Sequence, residues 1–485
     1  MKRIFLAVTA VCFIVIALVG WDPDWGGHLR LGDYILHHGI PTHDPFSCSM
    51  PSFAYIDHSW LFDVISITVG KTGMAIGLTA GAMAALALIC LARESRIGLI
   101  AAMLTASVMA TRMGVRPQVI DWAAIAGLWW LLDDRHWKKW RWGVPAMFWL
   151  WVNVHGGWAI GGGMWGVAVV LKWWQKRKID MGDVGVMAAT GLAVLINPYG
   201  ARAIVEVLRT VGDTNLGKWV AEWQPWYSEL DMGAWIMLAA IVVWGRKWGK
   251  KVELWKWVWL AGTFAAGLME VRNMVILAVV AGEIFGELGS EWWQGLPKNK
   301  TVAERANKFG MILVGVAGII LAIQLVGGVV EAGKISESRF YPGKAIEYLQ
   351  QHHISGNVFA DYSWGEYIMW KWPQVKVFID GRMPSWRWPV GARVPAGERS
   401  YAFGDYIGIM VGGQPIEPTF SECQIKLVIL ESNGKARSWL FNIENLMASW
   451  LGNIQVSQTK PLGERLMDAG WKKIYADEVS VVYMK

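Results

Sequence analysis

Charged residues are scarce in this sequence. Asp, Glu, Lys and Arg make up 18% of the 485 residues, against about 25% in an ordinary soluble domain. Most of these charges lie between long apolar blocks or after residue 330. The net charge of +7 does not indicate a nucleic-acid partner, because the basic residues fall in short loops between the apolar blocks. The length alone would suit two or three soluble domains, but the low content of charged residues disfavours them.

Cysteine is also rare. The four cysteines, Cys12, Cys48, Cys90 and Cys423, have no metal-like spacing, and Cys12 and Cys90 lie inside apolar blocks. A disulfide between Cys48 and Cys423 would require that both face an oxidising compartment, and we do not expect one. The chain after residue 340 lacks a P-loop, a dinucleotide fingerprint and an HExxH motif.

Hydrophobic residues, by contrast, make up 54% of the chain. They come in blocks of about 15–20 residues, the length that a helix needs to cross a hydrocarbon core of about 30 Å. Many of the 34 tryptophans flank these blocks, as is typical of the membrane interface. We therefore predict about eleven transmembrane helices, over 4–20, 73–92, 97–112, 118–133, 143–154, 157–173, 183–197, 233–245, 257–271, 273–288 and 308–330.

Two regions leave alternatives open in this assignment. The segment 58–71 is either a further short span or an interfacial helix. The segment 143–173 is either one long helix or a helical hairpin that turns at His155-Gly156-Gly157. Residues 1–20 have a basic start and an apolar run, and we interpret them as an uncleaved first span rather than a signal peptide.

The loops between the predicted spans alternate between a basic and a polar class. Arg93, Arg135, Lys176, Lys247 and Arg305 belong to the basic class, which the positive-inside rule places in the cytoplasm. The polar loops then lie on the opposite side. We predict a multi-pass protein of the inner (cytoplasmic) membrane, with a cytoplasmic N-terminus and an extracytoplasmic C-terminal domain.

Residues after 330 change character. Short β-rich runs alternate there with helical patterns. The sequence predicts a strand, turn and helix over 356–370, strands over 375–380 and 426–430, a terminal hairpin over 471–485, and helices over 342–353 and 436–452. The predicted fold is thus a mainly α-helical polytopic membrane protein with a small C-terminal extracytoplasmic α/β domain. The predicted domains are a transmembrane domain over 1–330, which includes the first outer loop over 21–59, and a soluble domain over 331–485.

The first outer loop carries the most concentrated polar chemistry. Asp22 and Asp24 follow the first span directly, and His28 lies one helical turn after Asp24, on the same face. A carboxylate here can act as general base on an acceptor hydroxyl, bind a metal together with His28, or cap the helix that follows. Asp44 and His58 are further candidate binding residues in this loop.

Arginines recur in the other polar loops. Arg112, Arg116 and Gln118 follow the third predicted span, and Arg272 lies between the ninth and tenth. Arginines at a membrane surface can hold a phosphate or pyrophosphate bidentately. The alternatives are snorkelling to lipid headgroups and, for Arg272, a structural pair with Glu270.

Two further candidates lie in the polar loops of the helical region. His155 sits beside two glycines that let backbones approach closely, and a histidine in such a turn is more often structural. Glu222 is either a second site residue or a solvated loop charge. The soluble domain adds residues at strand ends and turns, where sites occur and where at least half of them are expected only to stabilise turns: Asp361, Trp364, Glu366, Asp380 and Arg382.

Together these motifs resemble the bacterial type C superfamily of membrane glycosyltransferases. These are polyprenol-phosphate-sugar-dependent enzymes, related in architecture to protein O-mannosyltransferases and to the catalytic subunit of oligosaccharyltransferase. The resemblance rests on motifs spread over nearly the whole chain: WDPDWGGHLRLGDYILHHGIPTHDPFS at 21–47, DHSWL at 57–61, RPQ at 116–118, WVNVHGG at 151–157, NPYG at 197–200, EWQP at 222–225, RN at 272–273, GNVFADYSWGEYIMW at 356–370, FIDGR at 378–382 and the terminal segment 470–485.

The resemblance implies transfer of a hexose or pentose from a polyprenyl-phosphate-linked donor to a glycan, lipid or protein acceptor. It implies inversion at the anomeric carbon, at the outer face of the membrane. By position, Asp24 or Asp22 is the aspartate that acts as base or orients the acceptor. Arg112, Arg116 and Arg272 are the candidates that stabilise the departing lipid phosphate. Many members need no metal and oligosaccharyltransferases use one, so a divalent cation stays open as a cofactor.

Two positions depart from the family pattern. Relatives often carry paired tryptophans after the acidic motif, where this chain has Trp25-Gly26-Gly27. They often have His-Glu-Trp where this chain has His58-Ser59-Trp60. The missing glutamate leaves open an alternative function, that of a non-catalytic scaffold or accessory subunit of a larger membrane complex. A transporter is disfavoured, because the polar features gather at one face and no internal repeat is found.

Overall fold

The first outer loop and the C-terminal segment fold together. We call Asp22–Asp57 with Lys334–Lys485 the sheet unit, and Met1–Trp21 with His58–Gly333 the helical unit. The predicted boundary at residue 330 between a transmembrane and a soluble domain stays a prediction, because these units are defined by packing and not by a membrane. The computed structural model describes residues 1–93, 96–211, 213, 216–225, 231–296, 300–432 and 460–485, so the helix predicted over 436–452 lies outside the described residues.

Long apolar helices build the helical unit. Each predicted span coincides with a helix, with differences of a few residues at the ends. The helices are Lys2–Val19, Trp60–Leu91, Arg96–Ala110, Gln118–Leu132, Asp134–Trp140, Val144–Val152, Trp158–Lys176, Met181–Leu195, Arg202–Val211, Leu216–Trp219, Met232–Trp248, Leu254–Met269, Met274–Gln294 and Lys300–Lys334.

The two regions that the sequence left open are now defined. Residues 143–173 form a helical hairpin, since Val144–Val152 and Trp158–Lys176 are separate helices. Residues 60–69 precede the second predicted span within Trp60–Leu91, and Gly70 breaks the helix between them with φ 68° and ψ 179°. This backbone conformation is open to glycine and strained for other residues.

Three helices in the described part of the chain are long and apolar enough to cross a membrane by length and composition: Lys2–Val19, Trp60–Leu91 and Thr301–Lys334. Large apolar side chains stay exposed along the first and the last of them, as expected of helices that face lipid. These side chains include Ile4, Val8, Val11, Val15, Ile312, Ile319, Ile323 and Val326. The other helices of the unit are shorter, and the total number of spans stays a prediction.

One deeply buried helix of this unit is Met274–Gln294. It packs against Arg96–Ala110, Met232–Trp248 and Leu254–Met269, and its residues from Met274 to Gly286 are all buried. A helix that is apolar on every side is stable only when neighbours surround it. Its start therefore fixes the position of the short 3₁₀ turn that comes directly before it, which contains Arg272.

The sheet unit is built on a mixed four-stranded sheet. Its strands are β1 (Asn357–Ala360), β2 (Ile425–Glu431), β3 (Lys472–Ala476) and β4 (Ser480–Met484), in the order β1-β2-β4-β3. Strand β1 is parallel to β2, and the other neighbours are antiparallel. The helices of the unit are Trp25–His38, Glu337–Phe340, Gly343–Gln351, Gly365–Lys371, Ala402–Val411, Thr419–Glu422 and Leu462–Asp468.

Most of the elements predicted for this unit are confirmed, and one is wrong. The strand-turn-helix over 356–370, the strand over 426–430, the terminal hairpin and the helix over 342–353 are all present. The strand predicted over 375–380 is not, because Val377 makes only single bridges, to Ser47 on one side and to Val358 on the other. The segment is hydrogen-bonded on both sides, but neither pairing extends into a ladder.

A buried arginine joins the two parts of the sheet unit. The Arg382 Nε and Nη2 atoms donate to the two oxygens of Asp380 at 2.8 and 2.6 Å, and Nη2 also donates to Asp44 Oδ1 at 3.0 Å. Asp44 in turn accepts the backbone N–H groups of Phe46 and Ser47. Both carboxylates have no solvent exposure, so Asp44 has a structural role in the loop.

We expect Arg382→Leu to destabilise the sheet unit by about 3–5 kcal/mol, because it leaves two buried carboxylates without their counter-charge. The measurement is thermal unfolding of the detergent-solubilised chain. Lys460→Gln is the matched control in the same unit, since Lys460 forms a solvent-exposed pair with Asp468 and should leave the transition unchanged. An equal effect of both substitutions would contradict the structural role of Arg382.

Candidate functional site

Two arginines of the helical unit share one glutamate. Glu222 lies in the 3₁₀ turn Ala221–Trp223. Its Oε2 is 3.4 Å from Nη1 of Arg116, and its Oε1 is 3.6 Å from Nη1 of Arg272. The Arg272 guanidinium also stacks over the Trp223 ring at 4.5 Å. Both ion pairs are longer than the 2.7–2.9 Å that is typical of charge-assisted hydrogen bonds.

The charges in this group favour an anionic Glu222. Burial alone would raise its pKa, but the charges of Arg272 and Arg116, with a smaller effect of His155, hold the pKa below its usual value. Two guanidinium groups thus face one carboxylate from two sides. We call Arg116, Arg272 and Glu222 the arginine pair with its glutamate. Such a group can attract a phosphate.

His155 lies beside this group and is oriented by Asp121. Nδ1 of His155 is 2.8 Å from Oδ2 of Asp121, and Trp151 Nε1 donates to Oδ1 of the same carboxylate at 2.7 Å. A Cβ on Gly157 would lie 2.2 Å from the Asp121 carboxylate, so only glycine fits there. The group that approaches Gly157 closely is the Asp121 side chain, not the backbone that the sequence predicts. The His58 ring lies 6.1 Å from that of His155.

Asn153 joins two of the sequence motifs, its own and the one that contains Trp60. Its Oδ1 accepts from Trp60 Nε1 at 2.7 Å, and its Nδ2 donates to the carbonyl oxygens of Trp149 and Ile196. The residues around it line a largely apolar cavity of about 390 Å³ in the helical unit.

Arg112 and Gln118 are placed differently from Arg116. The Arg112 guanidinium makes a bidentate pair with Asp231, at 2.7 and 2.9 Å, and both side chains are buried. This geometry has the short distances of a structural ion pair. The Gln118 Oε1 is buried, and among the described residues no donor reaches it. The sequence did not indicate Asp231, which lies 119 residues from its partner.

In the sheet unit, Asp22 and Asp24 lie at the start of helix Trp25–His38. Asp22 Oδ1 accepts the backbone N–H of Asp24 at 3.1 Å. Asp24 occupies the N-cap position, but its side chain makes no capping hydrogen bond. Capping therefore does not explain the Asp24 carboxylate. His28 is buried one turn further on.

Glu366 lies with these aspartates, and we call Asp22, Asp24 and Glu366 the carboxylate cluster. Glu366 Oε1 and Asp24 Oδ1 lie 2.6 and 2.9 Å from the position that a Cβ on Gly381 would occupy. Two carboxylates so close to one point interact strongly in a buried environment. The sequence indicated Glu366 only as one of several turn residues, because its partners are more than 300 positions away.

Tyr341 faces the same cluster. Its side chain is buried and stacks on Tyr367, with ring centroids 4.6 Å apart. Burial raises the pKa of Tyr341 far above its usual value, and the charges of Asp22, Asp24 and Glu366 raise it further. The phenol therefore stays neutral and is a hydrogen-bond donor beside the cluster.

One of the expected turn residues has a plain structural role. Asp361 accepts from the backbone N–H and the hydroxyl of Ser363, so it stabilises its turn as predicted. Within the described ranges, no group of three or more His, Cys, Asp or Glu side chains is arranged to hold a metal ion.

The fold defines a class: a mainly α-helical membrane protein with a small mixed sheet near its C-terminus. It is similar to that of ArnT from Cupriavidus metallidurans, a type C polyprenyl-phosphate-sugar-dependent glycosyltransferase. The ArnT structure bound to undecaprenyl phosphate matches with a TM-score of 0.52 and 12% identity, over 99% of this chain and 97% of that one. The apo structure of ArnT matches over the same shares, with a TM-score of 0.51.

The fold that the motifs indicated is thereby confirmed. No family model matches the chain, and no curated protein sequence matches it. The roles of the individual site residues stay predictions.

Proposed function

We propose that this chain is a membrane glycosyltransferase that moves a sugar from a polyprenyl-phosphate-linked donor to an acceptor. The observation that carries the proposal is the ArnT-like fold over 99% of the chain. ArnT itself has been solved with undecaprenyl phosphate bound, which supports a lipid phosphate of this kind as part of the donor. The acceptor is a glycan, a lipid or a protein.

In this proposal the arginine pair with its glutamate holds the donor phosphate. Arg116 and Arg272 approach Glu222 from two sides at 3.4 and 3.6 Å. A phosphate that carries more charge as it leaves the sugar gains more from two guanidinium groups than the intact donor does. Arg112 contributes less, because Asp231 already holds its guanidinium bidentately.

The carboxylate cluster supplies the base. The acceptor hydroxyl attacks the anomeric carbon, the bond from that carbon to the phosphate oxygen breaks, and the configuration inverts. The hydroxyl proton passes to Asp24, whose carboxylate is not used in helix capping. Asp22 holds the backbone of Asp24 through the hydrogen bond to its N–H. The reaction takes place on the extracytoplasmic face, according to the charge distribution of the loops.

We expect Asp24→Asn to lower sugar transfer by about 10²–10⁴-fold, as loss of a general base does, and Asp22→Asn to lower it less. The measurement is transfer by the purified chain in liposomes from a panel of synthetic polyprenyl-phosphate sugars. Asp33→Asn is the matched control, because Asp33 lies on the same helix and pairs with Arg30 near the surface. Full activity in both single variants and in the double variant would remove the proposed chemistry and favour a non-catalytic scaffold.

We expect Arg116→Gln and Arg272→Gln each to weaken binding of undecaprenyl phosphate about 10- to 100-fold, because each loses a charge-assisted contact. Native mass spectrometry of the detergent-solubilised chain measures this directly. Arg246→Gln serves as the control, since Arg246 is exposed in a basic loop. Unchanged binding in the double variant would show that the phosphate is held elsewhere.

A further inference from the structure

Glu366 stands out among the acidic residues of the sheet unit. It is the second residue of helix Gly365–Lys371, and it is 5% exposed. A lone buried carboxylate would be costly in this position. The protonation state of Glu366 therefore depends on its nearest charged neighbours.

Two glycines of the first outer loop make room for this side chain. A Cβ on Gly27 would lie 1.9 Å from Glu366 Oε2, and a Cβ on Gly26 would lie 2.6 Å from the Glu366 carbonyl oxygen. A larger residue at Gly26 would push the helix backbone away, and one at Gly27 would displace the Glu366 carboxyl group.

We propose that Glu366 is a positioning residue for Asp24: a neutral carboxylic acid that donates its proton in a hydrogen bond to the Asp24 carboxylate. The Asp24 Oδ1 and Glu366 Oε1 atoms both lie within 3 Å of one point beside Gly381. A donor there fixes the orientation of Asp24 towards an acceptor hydroxyl. The proposal rests on the proposed function, in which Asp24 is the base.

The surrounding charges support a protonated Glu366. Burial raises the pKa of Glu366 well above its usual range, and the charges of Asp24, Asp380 and Asp22 raise it further. The charge of Arg382 works in the opposite direction. Arg382 has little effect, however, because Asp380 and Asp44 already hydrogen-bond to it.

The neutral phenol of Tyr341 faces the same groups. Burial raises its pKa, and the charges of Asp22 and Asp24 raise it further, so it does not neutralise the aspartates. Glu366 and Tyr341 are then two neutral donors beside two anionic carboxylates. This arrangement leaves Asp24 ionised and oriented, which is the state that a base requires.

Infrared difference spectroscopy tests the proton directly. At neutral pH the natural chain should show the C=O stretch of a protonated carboxylic acid that Glu366→Gln lacks. Asp24→Asn should shift this band, because the acceptor of the hydrogen bond changes, and Asp33→Asn should not. The absence of the band, or a band that Asp24→Asn leaves in place, would overturn the proposal whether or not any transfer is detected.

Transfer rates give the second test. Glu366→Leu should lower the rate about 10–100-fold, as loss of a supporting residue does, mainly in kcat and with little change in KM. Glu366→Gln keeps a hydrogen-bond donor, so its rate should stay closer to that of the natural chain. Equal impairment of the two variants would overturn the role as a neutral donor. If no donor supports transfer by the natural chain, the proposed function fails and the infrared result still decides the state of Glu366.

A separate observation concerns two cysteines. The Cys423 thiol donates to the carbonyl oxygen of Cys48 at 3.6 Å, which places the Cys423 sulfur against the Cys48 backbone. Both residues belong to the sheet unit, and Cys48 is anchored by its backbone N–H, which donates to the Val377 carbonyl at 2.9 Å. The Cys423 sulfur is thus held beside Cys48 from a distant part of the chain.

The geometry points to a disulfide between Cys48 and Cys423. A protein disulfide of a thiol-oxidising enzyme is the oxidant: one cysteine thiolate attacks it to form a mixed disulfide, the second cysteine thiolate displaces the enzyme, and the two thiol protons pass to the enzyme sulfurs, which leave as a dithiol. Burial raises the pKa of the Cys48 thiol, and the hydrogen bond with Cys423 raises it further. Exchange therefore takes place while the unit folds, before Cys423 is buried.

Thiol counting tests the bond. The full-length chain, expressed in cells with an oxidising envelope, is denatured in a maleimide reagent and weighed. Two of the four cysteines should be labelled without reductant and all four after reduction, with Cys12 and Cys90 as internal controls. Cys48→Ser and Cys423→Ser should each show three labelled thiols without reductant. Four labelled thiols in the natural chain before reduction would overturn the proposal.

Discussion

The Arg382 guanidinium, buried between Asp380 and Asp44, is the interaction on which the sheet unit depends. It joins positions 338 residues apart, and rings from both segments, Phe46, Tyr55 and Trp386, lie 5.1–5.5 Å from its centre. A lysine would not replace it, because only the planar fork reaches both carboxylates and stacks on rings. The course of the first outer loop, and so the position of the aspartates at its start, follows from this one side chain.

The arginines of the helical unit differ in the geometry of their ion pairs. Arg112 and Asp231 form a closed pair with two short hydrogen bonds, whereas Arg116 and Arg272 share a single glutamate at longer distances. The short Arg112–Asp231 pair fixes the ends of two helices, whereas Arg116 and Arg272 are held less tightly by Glu222. This difference in geometry separates a structural arginine from a ligand-binding one more clearly than position along the chain does.

The helices could be predicted from the sequence because a run of apolar residues is a local signal, and each predicted span coincides with a helix. The strand around Val377 could not, since a strand exists only where a neighbour pairs over several residues. Arg112, Arg116 and Arg272 looked alike in sequence, because Asp231 and Glu222 are distant partners. The sequence did not distinguish Glu366 from the other turn residues for the same reason. The two glycines that contact it, Gly26 and Gly27, are distant from it in the sequence.

The pairing of the first outer loop with the C-terminal segment sets the order in which this protein matures. Residues 22–57 leave the ribosome early, but Val377, Asp380 and Arg382, to which they bind, are made more than 300 residues later. The loop therefore stays unpaired, with Asp44 hydrated, until the helices between residues 58 and 333 and the C-terminal segment have been made. Contacts so distant in sequence form slowly. Any chain that stops before residue 334 lacks every C-terminal partner of the loop. An unfolded first outer loop would therefore distinguish an incomplete chain from a complete one.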